Sequence, residues 1–147
     1  MRRNGFSMVE MLFVIILVGL IASIGFPRLR RGLEQQNVRS SKAMIATLAA
    51  TARGTAIQRG CAATLNLTGD SIWVTACGVN PPAAVVEVGT KKLVGSAYNV
   101  QISSSSASIV YDPRGIATVF QPTTIRVIGP NYQDSVVINE LGRVKRQ

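Results

Sequence analysis

Residues 6–26 read FSMVEMLFVIILVGLIASIGF, an apolar run of 21 residues interrupted by one charge, Glu10. A helix crosses a bilayer with about 20 apolar residues, so the run is long enough to span. Arg2 and Arg3 precede it and favour a cytoplasmic N-terminus; Arg28, Arg30 and Arg31 follow it and leave the charge asymmetry ambiguous. A secretory signal would have a shorter apolar core with a small-residue cleavage site after it, whereas PRLRRGLEQQ follows here. A chain of 147 residues would struggle to enclose a helix apolar on every side. A plain membrane anchor explains everything except Glu10.

That carboxylate is expensive. An ionised side chain at membrane depth costs about 2.5 to 3.5 kcal/mol on insertion scales, and such residues face a protein partner or an aqueous path. Glu10 lies four residues beyond Phe6, about 6 Å along a helix. A cut between Gly5 and Phe6 would create an amino group near that depth, and Glu10 of one subunit could pair with the Phe6 amine of another.

A basic leader, Gly5 at the cut, Phe6 first in the mature chain, Glu10 fifth, a long apolar helix and then Pro27 together resemble the class III signal of type IV pilins and type II secretion pseudopilins. The resemblance implies cleavage after Gly5 by a prepilin peptidase, N-methylation of Phe6, and a docking role for Glu10 during assembly. Pro27 falls where these proteins often carry a helix-kinking proline; it removes a backbone donor and bends or loosens the helix.

Much of the 47% apolar content sits in residues 6–26, leaving an ordinary soluble composition elsewhere. Aromatics are only 5%, so a core must rest on Val, Ile, Leu and Ala. Sixteen Lys and Arg face seven Asp and Glu; the formal charge of +9 attracts polyanions. There is no His, which removes the commonest general base and metal ligand, and two cysteines alone cannot build a zinc site. The carboxylates are scattered. An enzyme, a cofactor and a small-molecule substrate are therefore not expected.

Arg28 to Arg59 reads as helix: no proline, frequent alanine, and Leu33, Ile45, Leu48, Ala49, Ala52 and Ala56 on one face, with Ile57 crowding the second half. Gly60 is a natural stop. Beyond it the pattern turns to β. CAATLNLTGDSIWVTAC carries a turn signal at Thr68-Gly69-Asp70 between two strand-like runs. A hairpin centred on Gly69 sets Leu65 opposite Trp73 and Cys61 opposite Cys77, each cysteine eight residues from the turn. A disulfide across its open end is geometrically reasonable, with two buried free thiols as the alternative. With no His to activate it, neither cysteine reads as a nucleophile.

Further strands are expected at Val85–Val88, Tyr98–Ser103, Ser108–Tyr111, Ala117–Phe120, Thr124–Ile128 and Ser135–Asn139, with Lys91 and Lys92 in a Gly-Thr-Lys-Lys loop and SSSSAS as a polar hairpin connection. Asp112-Pro113-Arg114-Gly115 reads as a turn, which accounts for both its charges.

ARGTAIQRG (residues 52–60), YDPRGIAT (111–118) and the terminal VVINELGRVKRQ follow the pattern of the GspH/FimT branch of pilin-like proteins. That resemblance implies an α+β fold: a long N-terminal α-helix, half of it transmembrane, packed on an antiparallel β domain. The implied divisions are a leader at 1–5, an assembly half of the helix at 6–27, an amphipathic half at 28–60 and a β domain at 61–147. The implied partners are other pilin or pseudopilin subunits, prepilin peptidase and an inner-membrane assembly platform. The implied location is the bacterial inner membrane, single-pass, with a periplasmic globular domain that joins a filament. Type IV pilus and type II secretion system both remain open.

Loss of Arg2 and Arg3 with the leader leaves 14 basic residues against 6 acidic ones beyond Glu10, about +8 on the exported part. The tail is the densest patch: Arg143, Lys145 and Arg146. In some FimT-type minor pilins a C-terminal Gly-Arg-x-Arg element binds DNA during natural transformation. Gly142-Arg143-Val144-Lys145 departs from it, since lysine replaces the second arginine and lacks the planar bidentate fork. DNA is accordingly the alternative partner, held by sequence-independent, salt-sensitive phosphate contacts that Arg114, Lys91 and Lys92 could widen. The bland counterpart is a terminal strand with a solvated end.

Overall fold

The computed structural model describes residues 7–78, 84–119 and 121–146, apart from the Arg146 side chain. Gly5 and Phe6 lie outside the described residues. The chain divides into two compact units, Met1–Leu33 and Glu34–Gln147, and helix α1 (Met8–Arg59) contributes to both.

In the first unit the large side chains from Met8 to Phe26 are exposed, and Glu10 is the one charge among them. This is the one described helix long and apolar enough to cross a membrane. A helix satisfies its own backbone groups, which is what a lipid environment requires. It continues through Pro27 without interruption.

In the second unit, Val38, Ser41, Lys42, Ile45, Ala46, Ala49, Ala52, Thr55 and Ala56 of α1 are buried. Steps of three and four residues keep them on one side. Ile45, Ala49, Ala52 and Ala56 were expected there, and Leu48 is partly buried against them. Leu33 is not: it is 56% exposed, because the packed stripe begins at Val38. Ile57, one step of about 100° from Ala56, is also largely exposed.

Two antiparallel sheets complete the unit. The first contains β1 (Ala63–Thr68), β2 (Ser71–Cys77), β3 (Val85–Leu93) and, after the short helix α2 (Val94–Tyr98) and β4 (Gln101–Ser104), β5 (Ser108–Tyr111). Its order is β3-β2-β1-β5. The second takes β4 with β6 (Thr123–Ile128), β7 (Gln133–Ile138) and β8 (Val144–Arg146), in the order β4-β6-β7-β8. Alternate residues of both sheets (Leu65, Val74, Ile109 and Tyr111 in one, Ile125, Val127, Val136 and Ile138 in the other) join the α1 stripe in a single core. Lys42 of α1 pairs with Asp134 of β7 at 2.5 Å, both side chains mostly buried.

The structure corrects several sequence expectations. The β1–β2 hairpin is shifted by one residue: Leu65 faces Val74 and Asn66 faces Trp73, around a two-residue Gly69-Asp70 loop. Gly69 has φ +53°, the left-handed backbone that favoured two-residue hairpin loops need. A strand slipped by one residue turns its other face inward. The observed register buries Ile72, Val74 and Ala76 instead of Ser71, Trp73 and Thr75, so burial decides it.

The Gly-Thr-Lys-Lys segment is strand, not loop. Val88 pairs with Val74 and Lys92 with Ile72, so Trp73 alone faces Gly89, Thr90 and Lys91 in a bulge. SSSSAS is not a hairpin connection but a crossing between sheets, since β4 pairs with β6 and β5 with β1. Tyr98 ends α2 and begins no strand. The strand expected at 117–120 shrinks to one bridge, Tyr111 to Ala117, with Phe120 outside the described residues.

Candidate functional site

Two turns built alike carry the cations of interest. In the first, the Asp112 carbonyl accepts from the Gly115 N–H at 2.8 Å, the Asp112 N–H donates to the Ile116 carbonyl at 2.9 Å, and the Asp112 carboxylate accepts from the Ile116 N–H at 2.8 Å. In the second, the Asn139 carbonyl accepts from Gly142 at 2.8 Å, the Asn139 N–H donates to Arg143 at 3.0 Å, and the Asn139 amide oxygen accepts from the Arg143 N–H at 2.7 Å. A short acceptor side chain first and a glycine at the fourth position produce both, from DPRG and NELG.

Asp112 is consumed by its turn. The N–H of Ile116, then the side chain and N–H of Arg114, hold its carboxyl below the usual range against the opposing effect of burial. Arg114 Nε lies 3.0 Å from it. The pair closes a turn, as expected from sequence.

The two turns meet the same stretch of helix. A Cβ at Gly115 would fall within 2.7 Å of Ile57 and 3.2 Å of the Arg53 side chain. A Cβ at Gly142 would fall within 2.6 Å of the Tyr111 ring. Beside Gly142 lies a groove of about 400 Å³ lined by Ala46, Ala50, Arg53, Gly142, Arg143 and Val144. Arg53 is half-buried and Arg143 exposed. Neither guanidinium forms a hydrogen bond or ion pair with another described residue. Tyr111 is fully buried; burial raises its phenol, opposed in part by the charge of Arg53, and its hydroxyl has no hydrogen-bond partner among the described residues.

The candidate cations thus separate into two places. Arg114 and Arg143 sit on the turns that Arg53 adjoins. Lys145 is exposed on β8 opposite Val137, and Arg146 pairs with Val136 in the ladder. Lys91 and Lys92 lie on β3, three strands from β5 and therefore roughly 14 Å across the sheet. Lys91 is engaged there, 4.5 Å from the Trp73 ring centre. Arg53 was missed by sequence reasoning. Ala46, Ala50 and Arg53 fall at i, i+4 and i+7 on one face of the helix, but that spacing alone does not mark a site.

Cys61 and Cys77 form a disulfide with Cα atoms 6.3 Å apart, so the free-thiol alternative falls. Arg59 Nη1 donates to the Cys77 carbonyl at 2.6 Å, fastening the end of α1 to β2 beside that bridge. Glu10 is exposed and has no partner among the described residues. No group of three or more His, Cys, Asp or Glu side chains suited to a metal occurs among the described residues.

The family model for "Type II transport protein GspH" matches residues 44–142. The type IV minor pilin FimU of Pseudomonas aeruginosa has a similar structure in two crystal forms. One gives a TM-score of 0.61 at 13% identity, covering 78% of this chain and 90% of that one. The other gives 0.53 at 10% identity, covering 74% and 91%. No curated protein matches the sequence. A long helix packed on two antiparallel sheets, two Asx-Gly turns against its last turns, and a family match over most of the chain lead to one conclusion: the chain belongs to the GspH family, with the fold of a type IV minor pilin.

Proposed function

We propose that this chain is a minor pilin or pseudopilin subunit, cut between Gly5 and Phe6 by prepilin peptidase, methylated on Phe6, and drawn from the inner membrane into a filament by residues 6–27. The amphipathic residues 28–60 and the β domain at 61–147 then stand in the periplasm. The observation that carries this is α1 itself: its apolar half is exposed on every side and bears one unpartnered carboxylate, Glu10. In a bilayer or a bundle of such helices that surface is buried and Glu10 meets the Phe6 amine of an adjoining subunit. Gly5→Ala should leave the precursor uncut on an immunoblot; normal maturation of that variant would defeat the proposal. Glu10→Ala should insert and mature but fail to enter filaments.

A second reading is favoured by the exposed tail: Arg143 and Lys145 have no carboxylate partner among the described residues. In this reading the subunit captures DNA through phosphate contacts, with Arg114 on the neighbouring turn and Lys91 and Lys92 on β3 as outlying cations that could widen the patch. The test is a gel shift of the detergent-solubilised chain at several salt concentrations. No shift at low salt, or one indifferent to Arg143→Ala plus Lys145→Ala, would eliminate it.

A further inference from the structure

Residues 34–147 carry 11 Lys and Arg but only 6 Asp and Glu, so their cations cannot all be matched within the unit. Two of the unmatched ones open on one groove. Arg53 reaches it from the helix and Arg143 from the β7–β8 turn, while Ala46 and Ala50 form its helical side and Val144 an apolar wall. Glu140, in that same turn, is exposed and does not close on either arginine.

We propose that this groove receives an acidic side chain from an adjoining pilin-family subunit. A guanidinium offers a planar fork that matches a carboxylate bidentately. Two guanidiniums at one recess, one of them half-buried, strengthen that attraction, because a charge pair withdrawn from water interacts at lower effective dielectric. The lining favours a protein over a nucleic-acid backbone. Ala46, Ala50 and Val144 contribute only when the occupant brings apolar atoms to bury, as the stem of a glutamate does. A phosphodiester chain presents closely spaced charges and is met by exposed cations in series, which describes Lys145 and Arg114 better than Arg53. The proposal rests on the reading of the chain as a filament subunit.

The test uses the full-length chain in its own host. Arg53→Glu, Arg143→Glu and the double variant are compared with wild type for incorporation into sheared filaments. The Cys61–Cys77 bridge, read on a non-reducing gel, reports correct folding. Incorporation of the double variant should fall at least tenfold, Arg53→Gln should be milder, and an Asp or Glu changed to Lys in a co-assembled subunit should restore it. Wild-type incorporation of the double variant would overturn the proposal. So would a loss that no acidic-to-basic change in another subunit repairs, or intact incorporation with loss of DNA binding, which would assign the groove to nucleic acid. Absence of the wild-type chain from filaments would instead defeat the filament reading itself.

Discussion

Gly142→Ala tests the packing of the margin on which both functional readings depend. Gly142 has φ +75°, and a left-handed backbone costs an ordinary residue about 1–2 kcal/mol. The new Cβ would also lie 2.6 Å from Tyr111 Cε1, 3.2 Å from its Cδ1 and 3.3 Å from the Ala117 Cβ. Tyr111 is fully buried and cannot swing into solvent, so the chain must shift around it. Overpacking of this kind costs about 1–3 kcal/mol. The sum, roughly 2–5 kcal/mol, is a large fraction of the 5–15 kcal/mol that stabilises an ordinary domain. Gly69→Ala is the control: its φ is +53°, but nothing lies within 4 Å of the added Cβ, so only the backbone cost applies.

Trp73, the one tryptophan, reports unfolding by fluorescence. At roughly 4 °C per kcal/mol for a unit of this size, Gly142→Ala should lower Tm by about 8–20 °C and Gly69→Ala by about 4–8 °C. A double-mutant cycle with Tyr111→Leu separates the two causes. Removing the ring should recover about 1–2 kcal/mol of the Gly142→Ala loss, beyond its own cost. Equal shifts for the two glycine variants, or no coupling to Tyr111, would refute the close approach and leave only backbone strain.

Asp134→Asn should cost about 3 kcal/mol, because it withdraws the carboxylate from a mostly buried Lys42. Burial would raise the Asp134 carboxyl, but the hydrogen bond from Lys42, the Ser135 N–H and the charges of Lys42 and Arg39 outweigh it and hold it below its ordinary value. A depressed folded pKa stabilises above the unfolded value and the gain is lost as pH falls through the folded one. Urea midpoints should therefore drop below about pH 4 in wild type and drop less in Asp134→Asn; parallel profiles would refute the pair's contribution. Replacing Cys61 and Cys77 with serine opens a loop of sequence separation 16, which should cost about 3 kcal/mol. Reductant should then lower the Tm of wild type but not of the variant; equal sensitivity would deny the bridge its role.

Period and punctuation carried most of the fold in the sequence. Alanines at steps of three and four ending at Gly60 gave the packed half of α1, and alternation gave most of the strands. What could not be read locally depends on distant partners. The β1–β2 register follows from which face the helix covers, not from the symmetry of the cysteines about the turn. Sheet membership of β4 and β5 is hidden in a serine run that suits a hairpin and a crossing equally well. Five residues such as VGSAY carry too little pattern to announce α2. Arg53 escaped for a different reason: in a linear chain it is a helix arginine like Arg39, and only the approach of Gly115 and Gly142 gives it a site.

The residues that establish the family and those that carry the proposed functions are largely different sets. The family match ends at Gly142, the glycine whose missing side chain accommodates Tyr111. Within 44–142, Ala52, Ala56, Asp112, Gly115 and Asn139 are occupied with packing and turn closure. Gly5, Phe6 and Glu10 precede that span; Arg143, Lys145 and Arg146 follow it. Arg143 and Val144 are still tied to the scaffold, Arg143 through its N–H to the Asn139 amide oxygen and Val144 through the core. Arg53 is the exception, lying inside the matched span yet facing the groove. Substituting it tests the groove from within the matched span, where substituting Arg143 tests the same groove from just beyond it.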